Sequence, residues 1–196
     1  MTIKQKVDLL FKAAEGALDE AKYDRAIELM SEAILLEPKN AALVQSRGAV
    51  YAMKEDTTKA IKDYTRAIDL APGYADAFLN RGLALWEKGA IQQAADDLEE
   101  ALEIGLRAEL EPQARYFLAR AHEILGDRDS AYDHYLSVVV LAPDTTYGMD
   151  AAARSLDMRV KKERKAAKKK PAAKKVAPKK TPAAKKKGKR PAKKKR

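Results

Sequence analysis

Cysteine is absent from this chain, which removes disulfides, thiolate metal sites and cysteine nucleophiles together. A reducing compartment is the expectation that follows, with the cytoplasm as its default. Histidine is nearly absent too. His122 and His134 are the only two, they fall twelve residues apart on different predicted helices, and His122 occupies the offset that Tyr51 holds in the second unit, so packing is favoured over catalysis or metal binding. Phosphate-cradling glycine loops, a Gly-x-Gly-x-x-Gly fingerprint and a Gly-x-Ser-x-Gly elbow are all missing. Asp127-Arg128-Asp129 has the look of a calcium loop's start but lacks the glycine and glutamate that such a loop needs, and it reads better as a helix-starting turn. No enzymatic activity, catalytic residue, metal, cofactor or small-molecule substrate is expected.

Long apolar runs are also lacking. The longest, Val138 to Ala142, falls far short of the roughly 18 residues that span a bilayer. The N-terminus, from Met1 to Asp8, carries charges where a secretory signal needs about 7–15 apolar residues. A soluble chain that is not exported is the expectation.

What the chain does have is repetition. An alanine, then a large residue four positions on, a small residue three further and a proline five beyond that recur with a step of 34. The instances are Ala26, Met30, Ala33 and Pro38; then Ala60, Tyr64, Ala67 and Pro72; then Ala131, Tyr135, Val138 and Pro143. Ala94, Leu98 and Ala101 keep the spacing in between, with Leu106 at the proline position and three extra residues, about Glu109 to Glu111, before the next unit. Upstream, Arg47-Gly48 with Tyr51 and Arg81-Gly82 with Leu85 hold matching offsets on a preceding helical pattern, so each unit is two helices. The small residues mark places where two backbones approach, and larger ones would push the helices apart. Prolines 38, 72 and 143 end second helices, while Gly89 and Gly126 mark turns inside units.

These residues resemble the tetratricopeptide repeat family over about residues 7–145, and Ala77 to Trp86 reads like an ordinary family member. Longer helical repeats such as Sel1-like units do not fit the step of 34. The resemblance implies an all-α fold, a right-handed superhelical solenoid of about four helix-turn-helix units at about 7–40, 41–74, 75–108 and 112–145. A capping helix over about 147–160 is expected to follow, burying Met149, Ala152, Ala153, Leu156 and Val160 and presenting Asp150, Arg154 and Asp157 to water. It further implies a concave groove lined by first helices that binds a peptide or helix of another protein. Family offsets place Phe11 and Leu18, then Gln45, Ala49 and Met53, then Leu79, Asn80, Leu83 and Trp86, then Tyr116, Phe117 and Arg120 in that groove. Leu79, Leu83 and Phe117 suit the inter-helix core equally well, and Trp86 is the best anchor. The chaperone-binding members clamp a terminal carboxylate with lysine, asparagine and arginine. At those positions this chain has Phe11, Glu15, Ser46, Asp76 and Asn80, so no cationic clamp is expected.

The charge is divided along the chain. Residues 1–160 hold 19 Lys/Arg against 28 Asp/Glu, and residues 161–196 hold 20 against the single Glu163. A −9 body therefore carries a +19 tail, expected to be disordered because it has almost nothing to bury. Its composition resembles the lysine-, alanine- and proline-rich tails of linker histones. Lys168, Lys169, Lys170, Lys174, Lys175, Lys179, Lys180, Lys185, Lys186, Lys187, Lys189, Arg190, Lys193, Lys194, Lys195 and Arg196 are the expected contacts to DNA or RNA, nonspecific because no aromatic interleaves them. Lys189 to Arg196 also looks like a nuclear import signal, so the chain would be nuclear in a eukaryote and nucleoid-associated in a bacterium. Competing roles are localisation or solubility, folding back onto the acidic body, and attraction to anionic lipid headgroups. The reading is a protein-binding adaptor whose tail holds nucleic acid; the alternative is an assembly scaffold or co-chaperone-like module whose tail serves localisation or autoinhibition.

Overall fold

A computed structural model describes residues 1–169, with side chains described through residue 165. It is built of helices in antiparallel pairs: α1 (Ile3–Asp19) with α2 (Tyr23–Leu36), α3 (Ala41–Met53) with α4 (Thr57–Leu70), α5 (Ala75–Glu87) with α6 (Ile91–Ile104), α7 (Glu111–Leu125) with α8 (Arg128–Leu141), and a closing α9 (Thr146–Lys169). The all-helical solenoid expected from the repeats is what forms. Among the described residues there is no strand, and no helix is long and apolar enough to cross a membrane.

The repeated residues do what their size dictates. Ala26, Ala60, Ala94 and Ala131 are fully buried on the second helices, and the large residue one turn later fills the space against the first helix. A Cβ added at Gly48 would lie 2.8 Å from the Tyr64 ring, and one at Gly82 3.1 Å from the Leu98 side chain and 3.2 Å from the Ala94 carbonyl oxygen. α2, α4 and α8 each stop two residues short of Pro38, Pro72 and Pro143. Asp127 caps α8, its carboxylate accepting from the Ser130 amide at 3.2 Å, which confirms the helix-starting turn.

Two buried ion pairs recur in the same register. Arg47 donates to Asp63 through Nε and Nη2, both at 2.8 Å, and through Nη1 to the Ser31 hydroxyl at 3.1 Å. Arg81 repeats this with Asp97, both at 2.7 Å, and with Thr65 at 3.3 Å. Each hydroxyl gives its own proton to the carbonyl four residues back, Ile27 or Ile61, so its lone pairs are free to accept from the guanidinium. One arginine thereby ties its own unit to the preceding one.

α9 departs from expectation in two ways. It runs to Lys169, nine residues past the boundary at 160, so positions 161–169 belong to a helix and residues 170–196 lie outside the described ones. The buried face is Gly148, Ala151, Ser155 and Met158, whereas Met149 and Leu156 are 60% and 61% exposed. The expected face was chosen by hydrophobicity, but the α8 surface accepts a close approach. A Cβ at Gly148 would sit 2.0 Å from the Ala142 carbonyl oxygen, so the first turn of α9 lies too close to the end of α8 for any side chain at that position. Asp150 and Arg154, expected in water, are half-buried.

Candidate functional site

First helices make the inner face: besides its neighbours in sequence, α3 touches α5, and α7 touches α9. One register position runs along it as Phe11, Gln45, Leu79, Tyr116 and Asp150, with the three inserted residues accounting for the single longer step. Phe11 is half-buried at one end, where it lines a concavity of about 470 Å³ with Asp8, Glu15 and Asn40 among its walls. Gln45, Asn80 and Leu83 are half-buried, and Met53 is 58% exposed at the end of α3.

Leu79 is a correction: at 2% exposure it belongs to the core between α5, α6 and α7. Tyr116 is corrected in part. Its ring is buried among Tyr135 and Tyr147, and only its hydroxyl reaches out, donating to Asp150 at 2.6 Å.

The other expected residues converge. Trp86 meets Phe117 edge-on at 5.4 Å, Phe117 meets Tyr116 at 5.5 Å, and Tyr147 packs against both at 6.1 and 5.0 Å. The Arg120 guanidinium lies 5.5 Å from the Trp86 centroid and 6.0 Å from that of Tyr116, and it donates to the Tyr116 hydroxyl at 3.3 Å. A cation over the negative face of an aromatic ring is held electrostatically. The result is a partly buried aromatic row crossing α5, α7 and α9, packed on the core on one side and with a positive group resting on it.

Beneath the row runs a polar chain absent from the sequence reading. Arg154 donates to Asp150 at 2.5 Å and to Glu123 at 3.1 Å, and Glu123 also accepts from the Tyr135 hydroxyl at 2.9 Å. Burial alone would raise the Asp150 carboxyl, but the hydrogen bonds from Tyr116 and Arg154 and the charges of Arg154 and Arg120 hold it below its ordinary value. Burial pushes the Tyr135 phenol well above its usual range. The hydrogen bond to Asp150 holds Arg154 protonated. The signal that could have exposed these partners is the step of 34 itself: Tyr147 stands one step beyond Gln113, which donates to it at 3.4 Å, and Asp150 one step beyond Tyr116.

At the chaperone-clamp positions the structure offers no cation. Glu15 is exposed, Phe11, Ser46 and Asn80 are half-buried, and Asp76 pairs with Arg107 at 3.2 Å. His122 and His134 stack at 5.5 Å, nearly parallel, with Glu99 3.4 Å from His122. Among the described residues no three carboxylates or imidazoles converge so as to hold a metal ion. Of the expected nucleic-acid contacts, Lys168 and Lys169 stand on α9 and the rest lie outside the described residues.

A solenoid of paired helices with an aromatic inner face defines a helical-repeat protein. Comparison narrows this. The family described as "TPR repeat" matches residues 48–89 and that described as "Tetratricopeptide repeat" matches residues 79–145. The second TPR domain of human RPAP3, solved in complex with an HSP70 peptide, is 30% identical with a TM-score of 0.55, covering 61% of this chain and 98% of that one. The chain belongs to the tetratricopeptide repeat family. The crystal structure of MamA has the same fold, with a TM-score of 0.67 and 19% identity over 87% of this chain and 98% of that one. The heat shock protein sti1 homolog of Schizosaccharomyces pombe is 33% identical over 87 residues, 44% of this chain and 15% of its own length. This chain thus spans well under a third of that curated relative.

Proposed function

We propose that the chain is a non-enzymatic adaptor whose inner face holds a peptide or helix of a protein partner while its lysine-rich C-terminus holds nucleic acid without sequence preference. The observation that carries the first half is the aromatic row of Trp86, Phe117 and Tyr147 with Arg120 above it. Partly buried aromatic and arginine side chains on an inner face are the side chains from which binding hot spots are built, and an extended peptide or amphipathic helix can lay apolar anchors on them. The human RPAP3 domain, which holds an HSP70 peptide, supports a peptide as the guest.

The guest differs in charge. The HSP70 peptide in that complex, SGPTIEEVD, is acidic, and here Glu15 stands at one clamp position while Arg107, the cation beside Asp76, is already paired with that carboxylate. The groove therefore favours a neutral or basic segment with large apolar side chains. The second half rests on 20 Lys/Arg against one carboxylate after residue 160. Displacing condensed counterions from about ten phosphates gives a log K that falls with log salt at a slope near −9. A cytoplasmic setting, nucleoid-associated or nuclear according to the cell, accords with this.

Affinity capture from native lysate, with and without nuclease, tests both halves. Trp86→Ala and Arg120→Ala chains should lose nuclease-resistant partners. A full-length chain with glutamine in place of the lysines from 168 onward should lose nuclease-sensitive material. An acidic chaperone tail captured equally by the wild type and both groove variants would favour the scaffold or co-chaperone alternative and count against the groove assignment.

A further inference from the structure

We propose that the folded body carries its own nucleic-acid subsite, a cavity between the start of α8 and the far end of α9 that takes one phosphate and one base of a single strand. The inference rests on the polyanion reading of the C-terminus and deepens it by naming a folded site and a ligand geometry. α9 is 24 residues long where α3 and α5 have 13, so its last three turns overhang the α8 N-terminus. The overhang encloses a cavity of about 460 Å³, within the roughly 300–1,000 Å³ of small-ligand pockets and large enough for a nucleotide. The Tyr132 ring and the Met158 side chain contribute its apolar wall, and Arg128, Arg159, Lys161, Lys162 and Lys165 its charge.

The charge does not cancel internally. Asp129, bonded to Lys162 at 2.8 Å, is the one carboxylate in the lining. Asp157 and Glu163 neutralise Lys161 and Arg159 in part, Asp133 also acts on Lys162, and five cations still stand against four carboxylates. Met158 is buried at 7% exposure while Tyr132 is half-buried at the lining. A π face beside a cluster of cations is the arrangement that holds single strands, with phosphates on the cations and a base on the ring. An acidic peptide without aromatic side chains offers no π face to Tyr132, and the flat surface of a bilayer does not follow a concavity. The lysines from 168 onward follow this wall in the chain, so a strand held by their charge is brought near the cavity.

The test compares the full chain's affinity for a thymidine strand of about 20 nucleotides with that for an abasic deoxyribose-phosphate strand of equal length. Charge alone treats the two alike, and stacking on one aromatic favours the strand with bases by about tenfold. Tyr132→Leu should abolish that preference and leave the salt slope unchanged, while Tyr132→Phe should retain it. Arg128→Gln with Lys165→Gln, both at exposed positions, should weaken both strands and reduce the slope by about 1–2. Equal affinity of the unaltered chain for the two strands would overturn the cavity and leave the tail reading standing. A base preference that survives glutamine substitution of the lysines from 168 onward would support the cavity while removing the tail, and no binding to either strand would overturn both.

Discussion

The Arg47–Asp63 and Arg81–Asp97 pairs show how much one side chain can carry in a repeat protein. Asp63 and Asp97 have side chains 7% and 8% exposed, and their arginines 18% and 20%. A buried ion pair adds little over well-packed apolar residues, but removing one partner leaves the other charge buried and costs about 3–5 kcal/mol. Asp63→Ala should therefore lower stability by about that much in urea unfolding, and Asp97→Ala similarly. Arg47→Met together with Asp63→Leu should recover most of the loss, and a single Asp63→Ala that unfolds like wild type would show the pair to be inert.

In the fourth unit that arrangement gives way to another. Leu118 stands where the arginine would be and His134 where the aspartate would be, with His122 stacked on it at 5.5 Å. Burial, then the nearby His122 and Arg115, press the His134 pKa down to about 4, against the weaker pull of Asp133 and Asp127. The folded state thus refuses a proton that the unfolded chain takes up near pH 6.5. Stability from this residue is complete above about pH 6.5 and drains away as pH falls toward 4, at up to about 1.4 kcal/mol per pH unit before screening by its partial exposure, and about 1–2 kcal/mol in total. His134→Asn should flatten the stability–pH curve across that interval, and an unchanged slope would place the proton elsewhere.

At the scale of the helix pair, the turn between first and second helices repeats every 34 residues at Ala21, Glu55 and Gly89, with φ of 55°, 64° and 78°. Only glycine occupies this left-handed region without strain from its side chain. Ala21→Gly and Glu55→Gly should each raise stability by about 0.5–1 kcal/mol, readable as a rise in thermal midpoint, and a fall would mean that chain entropy outweighs the strain. This shows where the sequence was transparent. Alanine and proline spacing on second helices reports backbone approach and termination, which are local constraints, and the paired helices followed from it. The α9 face was misread because Met149, Leu156 and Val160 outrank Gly148, Ala151 and Ser155 in hydrophobicity, while the close approach at Gly148 sets which face of the helix turns inward, with Met158 roughly two to three turns further along it. The Arg–Asp pairs bridge helices 16 residues apart and look like surface charge until both helices are placed. Trp86, Phe117 and Arg120, named together from the repeat offsets, do come together in space, and Leu79, which suited core and groove equally, falls in the core because one register position is open in some units and closed in others.

For the whole molecule, each unit touches only its neighbours, so stability is distributed as unit terms plus interfaces. The interfaces are unequal. Arg47 and Arg81 stitch the first three units together at their second helices, and the Tyr116–Asp150–Arg154–Glu123–Tyr135 chain locks the fourth unit to α9. α1 has only Val7, Ala14 and Ala17 buried among its seventeen residues, and the arginine register position on it is Ala13. Opening should therefore begin at this end, with α1 separating while α3 to α9 stay folded. Amide hydrogen exchange under native conditions should show least protection in α1, more in α3 and most in α4 to α6, with Arg47→Met lowering protection in α2 and α4 together. Fraying of α1 would widen the concavity around Phe11 while leaving the row of Trp86, Phe117 and Tyr147 in place, so guest binding at that row should survive it. Protection in α1 equal to that in α5 would show instead that the solenoid opens as one unit, and that its arginines do not set where it yields.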